Sequence, residues 1–440
     1  MRLTDKIIEY FVVRPIYGVM LLARWIFLRD SWVGKFLHNC VYFVVGRVTT
    51  PQIEHKRKFV ILKDIISGNR VGMQIQNHIY TSAPTYWKHF MKNVFAWRLV
   101  VGSIKRRIYY LFGHVVPSVI VISPNAPGEG CNLSCRGCYA SGHPEAKMPI
   151  ALFEKIIKEQ EDLGIFTVFI TGGEPLLYEG FWDITKKYRR TIFWTATNGT
   201  LITEKEVELM AETGNVVLNF NLDGFKKETD FMKGEGAFEK IREGIRKCQN
   251  AKLIYLATVT VSKHNFQTVA SDKFIRMLVE YGFIGVNFSH YVPVGDDARP
   301  EWQISFEQSK RLDEWGKGII KRFPIFVTIG RNGTDRVDGC FAANQYIHIL
   351  PDGRIEPCPF AHWATGQNIK DSTILEIMDS AFIKTIREIN KAGIPGLTPC
   401  RAQHIKSLQE GFEKLGAKST IIKQEKEEEI YGERKRINAL

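Results

Sequence analysis

From about Val116 onward the chain alternates between two textures, and this alternation limits the fold more than any other feature. Short β-branched and aromatic runs, SVIVIS (118–123), TVFIT (167–171), IFWTAT (192–197), VVLNFNL (216–222), LIYLATVTV (253–261) and GVNFSHYVP (285–293), read as strands. Between them lie longer amphipathic segments near 149–163, 179–189, 203–213, 236–250 and 267–281, which read as helices. Strands joined by crossover helices must run parallel. Six such units predict an α/β chain folded as a partial (β/α)6 TIM-like barrel. In that architecture, loops at the C-terminal strand ends carry the chemistry.

The first of these loops, EGCNLSCRGCYAS (129–141), places Cys131, Cys135 and Cys138 within eight consecutive positions. Three thiols this close do not pair comfortably as disulfides, and one would always be left over. Their number and spacing suit a [4Fe–4S] cluster with one iron lacking a protein ligand. The alternative is a structural zinc knuckle completed by a distant cysteine or by His143. Later strand ends carry GGEP (Gly172, Gly173, Glu174), TNGT (Thr197, Asn198) and NLDG (Asn221, Asp223). Paired glycines let a backbone approach a ligand closely, and Glu174 offers a carboxylate acceptor for an ammonium group. Taken singly, each motif is also an ordinary strand-end turn. Thr258, Thr260, Ser289, His290 and Tyr291 on the last two strands are expected to line a substrate cavity.

On the cysteine triad, the GGEP loop and their order, the chain resembles the radical S-adenosylmethionine (radical SAM) family. The resemblance implies that Cys131, Cys135 and Cys138 hold a [4Fe–4S] cluster whose open iron chelates S-adenosylmethionine. It further implies that one electron, from a donor such as ferredoxin or flavodoxin, cleaves that cofactor to a 5′-deoxyadenosyl radical, which abstracts hydrogen from a C–H bond. Gly172, Gly173, Glu174, Thr197, Asn198, Asn221 and Asp223 become the implied cofactor-binding residues. Asn221 stands where the family commonly has serine. Gly137 stands where it commonly has an aromatic residue beside the adenine, with Tyr139 just after the third cysteine.

Beyond the barrel, Cys340 precedes FAANQYIHILPDGRIEPCPF, a strand, a turn at Pro351-Asp352-Gly353 and a second strand, with Cys358 following. The Gly353-to-Cys358 spacing resembles the SPASM or shorter twitch extension of many radical SAM enzymes. This implies one auxiliary cluster on Cys340, Cys358 and Cys400, with His362 and His404 as candidate further ligands. The alternative is three buried structural cysteines. Cys40 and Cys248 stand alone and read as small buried hydrophobes.

Charge separates a further segment. The net charge is +13, and residues 1–120 hold 18 Lys+Arg against 5 Asp+Glu, so all of the excess lies there. Arg14, Arg24, Arg29 and Lys35 interleave with Tyr17, Trp25, Phe27 and Trp32, as in a helix lying on an anionic membrane surface. The same rings would equally pack a helical N-terminal domain. HKRK (55–58), KRR (105–107) and the aromatic stretch Tyr86, Trp87, Phe90, Phe95 and Trp97 continue the pattern, which also resembles single-stranded nucleic-acid binding. No apolar run reaches the roughly 20 residues a membrane span needs, and no secretory signal is apparent.

The expected organisation is therefore a basic, aromatic, helical domain over 1–115 and a radical SAM core over 116–322. A SPASM/twitch-like domain over 323–412 and a charged tail over 413–440 follow. Clustered cysteines point to a reducing, cytoplasmic setting, with the basic segment placing the protein peripherally on the inner face of the membrane. The expected activity is hydrogen abstraction from a hydrophobic, lipid- or isoprenoid-type substrate. The alternatives are a radical SAM peptide- or protein-modifying enzyme and a non-catalytic RNA-binding iron–sulfur protein, nucleic acid being the disfavoured partner.

Overall fold

The computed structural model describes residues 84–330, 340–391 and 406–421, together with 13–15, 18, 81 and 82. Nine strands form one sheet in the order β7-β6-β5-β4-β3-β2-β1-β8-β9. Strands β1 (Val119–Ile122), β2 (Thr167–Ile170), β3 (Ile192–Thr197), β4 (Val216–Asn221), β5 (Tyr255–Val261) and β6 (Gly285–His290) are the six expected, all parallel. The sheet then extends at both edges. β7 (Phe326–Gly330) adds to β6, and β8 (Tyr346–Ile349) adds in parallel to β1, with β9 (Ile355–Glu356) antiparallel beyond it. Residues expected as a separate extension thus share the barrel's own sheet. Its edges, β7 and β9, do not pair with each other among the described residues, so the barrel is open.

Helices α1 (Pro84–Met91) and α2 (Gly102–Leu111) flank a π-helical stretch, Lys92–Val101. Within the sheet region follow α3 (Ile150–Asp162), α4 (Phe181–Lys187), α5 (Glu204–Thr213), α6 (Lys226–Lys233), α7 (Ala237–Asn250), α8 (Phe266–Val269), α9 (Asp272–Glu280) and α10 (Phe306–Ile319). The C-terminal part holds α11 (Ile374–Met378), α12 (Ala381–Lys391) and α13 (Lys406–Lys414), with strands β10 (Trp363–Ala364) and β11 (Lys418–Ser419) paired antiparallel. Helix α6 was unforeseen, as was α13. The α6 sequence, KKETDFMK, has too few apolar residues to show a helical stripe, and a capping contact from Glu228 to the Phe225 amide starts it.

Register sorts the side chains of the sheet. One face carries Phe220, Ala257 and Val286 in a cross-strand row, with Val259 and Phe288 in the next, all buried against the helices. The other face carries Asn221, Thr258, Asn287 and Thr328 in one row and Thr260 with Ser289 in another. Such alternation follows from the two-residue period of a strand.

The aromatic stretch before the barrel is structural where it is described. Tyr86, Trp87 and Trp97 are fully buried, so they cannot stack on bases or enter a bilayer. The Tyr86 hydroxyl donates to the carbonyls of Val216 (3.1 Å) and Ile254 (3.2 Å), so α1 closes the N-terminal ends of β4 and β5, opposite the cysteine loop. Trp97 packs on Phe166 beside Val13, Ala96 and Val101. By contrast, Ile108, Tyr110, Leu111 and Phe112 at the far end of α2 are exposed. No helix among the described residues is long and apolar enough to cross a membrane. The segment 19–80, with its basic and aromatic residues and Cys40, lies outside the described residues, as does Tyr17. Cys248, as expected, is a buried hydrophobe on α7.

Candidate active site

The cysteine loop follows β1 directly. Cys131, Cys135 and Cys138 are unpaired and half-buried, and each thiol lies within electrostatic reach of another. Burial raises all three thiols, Cys135 to about 11, since a thiolate is costly away from water. Backbone N–H groups of Leu133 and Asn132 donate to Cys131, and those of Ala140 and Ser141 to Cys138. Three converging sulfurs with N–H donors already aimed at them fit an iron–sulfur cluster, whose iron would supply the positive charge that burial otherwise withholds.

The GGEP loop holds this arrangement in place. The Gly173 amide donates to Asn125 O (2.9 Å) and the Glu174 amide to Gly130 O (2.8 Å). A Cβ on Gly173 would lie 2.2 Å from Gly130 O, and one on Gly172, at φ +105°, would lie 2.4 Å from Asn125 O. The close approach that these glycines permit is therefore to the cysteine loop, and those two amides are already engaged. Glu174 is buried at 1 % exposure. Its carboxylate accepts from Thr197 Oγ1 (2.7 Å), the Asn198 amide (2.8 Å) and the Leu176 amide (3.3 Å). Burial nevertheless pushes it up to about 7. The acceptor expected for a cofactor ammonium thus first ties the second strand end to the third.

Asn198 reaches back to the cysteine loop, donating to Asn132 Oδ1 (2.8 Å), while Asn132 donates to Thr200 Oγ1 (2.8 Å). Asn221 and Asp223 are joined by a residue that sequence reasoning missed. Lys233, at the end of α6, donates to Asn221 Oδ1 (2.7 Å) and is ion-paired with Asp223, with almost no exposure on either side of the pair. Burial pulls Lys233 down, but Asp223 and the Cys135 thiol outweigh it and the ammonium stays above its ordinary value. A buried cation therefore stands beside the cysteine triad. Its only sequence signal was a lysine followed by glycine at the end of a charged run. A small cleft lined by Asn132, Leu133, Thr200 and Lys233 opens beside these residues.

Gly137 has φ +63°, and a Cβ there would lie 2.9 Å from the Tyr291 hydroxyl. Tyr291, rather than Tyr139, thus brings an aromatic ring to the third cysteine. Tyr139 is engaged elsewhere: its hydroxyl bonds Thr171 and its ring packs edge-on against Phe360. Thr258, Thr260 and Ser289 share the polar sheet face, as expected of cavity residues. His290 does not, because it pairs in register with Val261 on the helix-covered face.

In the C-terminal part the hairpin is as expected, with His348 opposite Glu356. Cys340 and Cys358 meet in one small cluster with Ala342 and Ala361. Cys400 and His404 lie outside the described residues. His362 turns toward His143 and Glu356, its ring centroid 4.5 Å from that of His143.

The Radical SAM superfamily model matches residues 125–275, and the SPASM model, an iron–sulfur cluster-binding domain, matches 340–402. The chain is a radical SAM enzyme. The two matched segments contain both cysteine sets, and [4Fe–4S] clusters with S-adenosylmethionine are the cofactors of this radical SAM enzyme. An AdoMet-dependent heme synthase of Methanosarcina barkeri is 25% identical over 57% of this chain and 80% of its own. The mycofactocin maturase MftC of Mycobacterium tuberculosis is 26% identical over 60% of this chain and 72% of its own. The crystal structure of Streptococcus suis SuiB bound to S-adenosylmethionine superposes with a TM-score of 0.56 at 17% identity, covering 69% of this chain and 77% of that one. At that identity the superposition establishes the fold.

Proposed function

We propose that this radical SAM enzyme modifies a peptide or protein substrate. The observation that carries this reading is the polar sheet face: Asn221, Thr258, Asn287 and Thr328 in one row, Thr260 and Ser289 in the next. The Thr258 hydroxyl is buried with no hydrogen-bond partner, and an extended peptide backbone would offer it one. A lipid or isoprenoid chain would leave the buried Thr258 hydroxyl unsatisfied, which argues against the hydrophobic substrate expected from the basic N-terminal segment. Two relatives, MftC and the sporulation killing factor maturation protein SkfB of Bacillus subtilis, are maturation proteins by name, which supports the same reading.

Cys131, Cys135 and Cys138 would hold the catalytic cluster, and Cys340 with Cys358 and Cys400 an auxiliary one. When bound, cluster and S-adenosylmethionine supply a 5′-deoxyadenosyl radical by reductive cleavage. The chain's own part is positional. Glu174, Thr197 and Asn198 lock adjacent strand ends, Lys233 holds positive charge at the thiols, and the polar face orients the C–H bond to be attacked. The test uses enzyme reconstituted anaerobically with a one-electron reductant and deuterated candidate peptides, such as those encoded beside its gene. Deuterium appearing in 5′-deoxyadenosine, with a matching mass change in the peptide, supports the proposal. Transfer only from a lipid extract sinks it.

A second reading concerns location. Exposed Ile108, Tyr110, Leu111 and Phe112 extend from the segment that carries the whole positive excess, which supports peripheral attachment to an anionic membrane. Flotation with phosphatidylserine vesicles that is lost at high salt supports it; equal recovery with neutral vesicles argues against it.

A further inference from the structure

Apart from the two cysteine sets, the described residues hold one group of side chains with the geometry of a metal site. His143, Glu356 and His362 each direct a ligand atom to within 4.8 Å of the others. They come from three places: the end of the cysteine loop, strand β9, and the turn before β10. All three side chains are buried, His143 at 5 % and Glu356 at 0 % exposure.

The hydrogen bonds around the group assign its protons. His143 Nδ1 lies 3.0 Å from the Ala140 carbonyl and His362 Nε2 lies 2.9 Å from the Pro359 carbonyl. A carbonyl oxygen only accepts, so each of those nitrogens carries hydrogen. Burial pushes His362 down to about 4, so the ring is neutral and its Nδ1 bears a lone pair. That atom has no hydrogen-bond partner in a fully buried site. His143 Nε2 faces Glu356 Oε1 at 3.1 Å. The second carboxylate oxygen accepts from His348 Nδ1 (2.8 Å), whose Nε2 in turn accepts from Ser123 Oγ (2.7 Å), and Thr420 also donates to Glu356.

This is the outer arrangement that metal-ligating residues need. Both histidines donate their far N–H to a backbone carbonyl, and the carboxylate is oriented by further donors. Without a metal, His362 Nδ1 is an orphaned buried acceptor and His143 must carry a second proton to meet Glu356.

We propose that His143 Nε2, Glu356 Oε1 and His362 Nδ1 bind one divalent first-row transition ion of the zinc class, separate from both cysteine sites. Two imidazoles and one carboxylate form a common donor set for such ions. Binding expels the proton between His143 and Glu356, and the divalent ion that replaces it leaves the site one unit more positive, a charge that an anionic fourth ligand would neutralise. Three protein donors leave a position for a non-protein ligand. The ion would fasten the end of the cysteine loop to the C-terminal hairpin, linking the two parts that the radical chemistry has to keep in register.

The test is metal analysis and zinc-edge X-ray absorption on the full-length, cluster-loaded protein purified anaerobically from zinc-supplemented medium. The expected result is about one zinc per chain with only nitrogen and oxygen scatterers at about 2.0–2.1 Å. His362→Ala should lower zinc retention about tenfold or more while circular dichroism and cluster absorbance persist, and Cys340→Ala should leave zinc in place. A zinc-free protein that also lacks any other mononuclear ion, sulfur in the zinc shell, or full zinc in His362→Ala overturns the assignment. Should His362→Ala fail to fold, the wild-type absorption spectrum decides alone.

Discussion

The Tyr291 ring stands where a side chain at position 137 would have to go: a Cβ built on Gly137 lies 2.9 Å from the Tyr291 hydroxyl. The two residues are far apart in sequence, and each explains the other. A residue with no side chain, in a left-handed conformation, makes room for a ring delivered from the end of β6. The Tyr291 hydroxyl also accepts from the Arg299 amide (2.9 Å), so the ring is anchored. Gly137→Ala adds backbone strain and a clash together and should destabilise the protein by about 1–3 kcal/mol. Denaturant unfolding of the full chain measures this, and an unchanged midpoint would mean the ring moves freely.

Removing one sulfur separates the two cysteine sites. Cys135→Ala should abolish 5′-deoxyadenosine formation and the barrel-site iron, while about four irons remain if the second site carries its own cubane. Iron counting with sulfide analysis reads this directly. A count near zero would make Cys340 and Cys358 structural residues only.

Lys233 and Asp223 form a buried pair, at 5 % and 2 % side-chain exposure. Lys233→Met leaves a carboxylate buried without its partner and should cost about 3–5 kcal/mol. The double variant with Asp223→Asn should recover part of that loss. If the single and double variants unfold at the same denaturant concentration, the pair contributes no coupling.

Glu174 supplies a pH signature in the cofactor-free protein. Its folded value, about 7, lies above the ordinary carboxylate value, so between them the folded state binds more protons than the unfolded state. Stability should therefore fall as pH rises from about 4.5 to about 7, and level off above. Glu174→Gln should flatten this dependence. A wild-type stability that climbs through the same window would show that other carboxylates dominate.

Much of the fold was legible because it depends on local period. Strand texture, helical stripes and the Pro-Asp-Gly turn each lie within a dozen residues, and the six parallel strands and the hairpin follow from them. The cysteine triad was equally legible, since its ligand atoms are neighbours in the chain. Helix α6 was not, because charged residues hide its period, and with it Lys233 was lost. The aromatic stretch at 86–97 was legible as aromatic but not as buried: whether a ring faces water depends on what the fold places over it, here the strand ends at Val216 and Ile254.

The sequence by itself determined the alternating α/β order, the three-thiol loop after β1 and the hairpin that carries Cys358. Only the tertiary structure decided that Tyr291 fills the space beside Gly137, that Lys233 neutralises Asp223, and that His143 meets Glu356 and His362. Those meetings join residues from different elements, some more than two hundred positions apart, so they are set by sheet register and loop packing, which no local periodicity encodes.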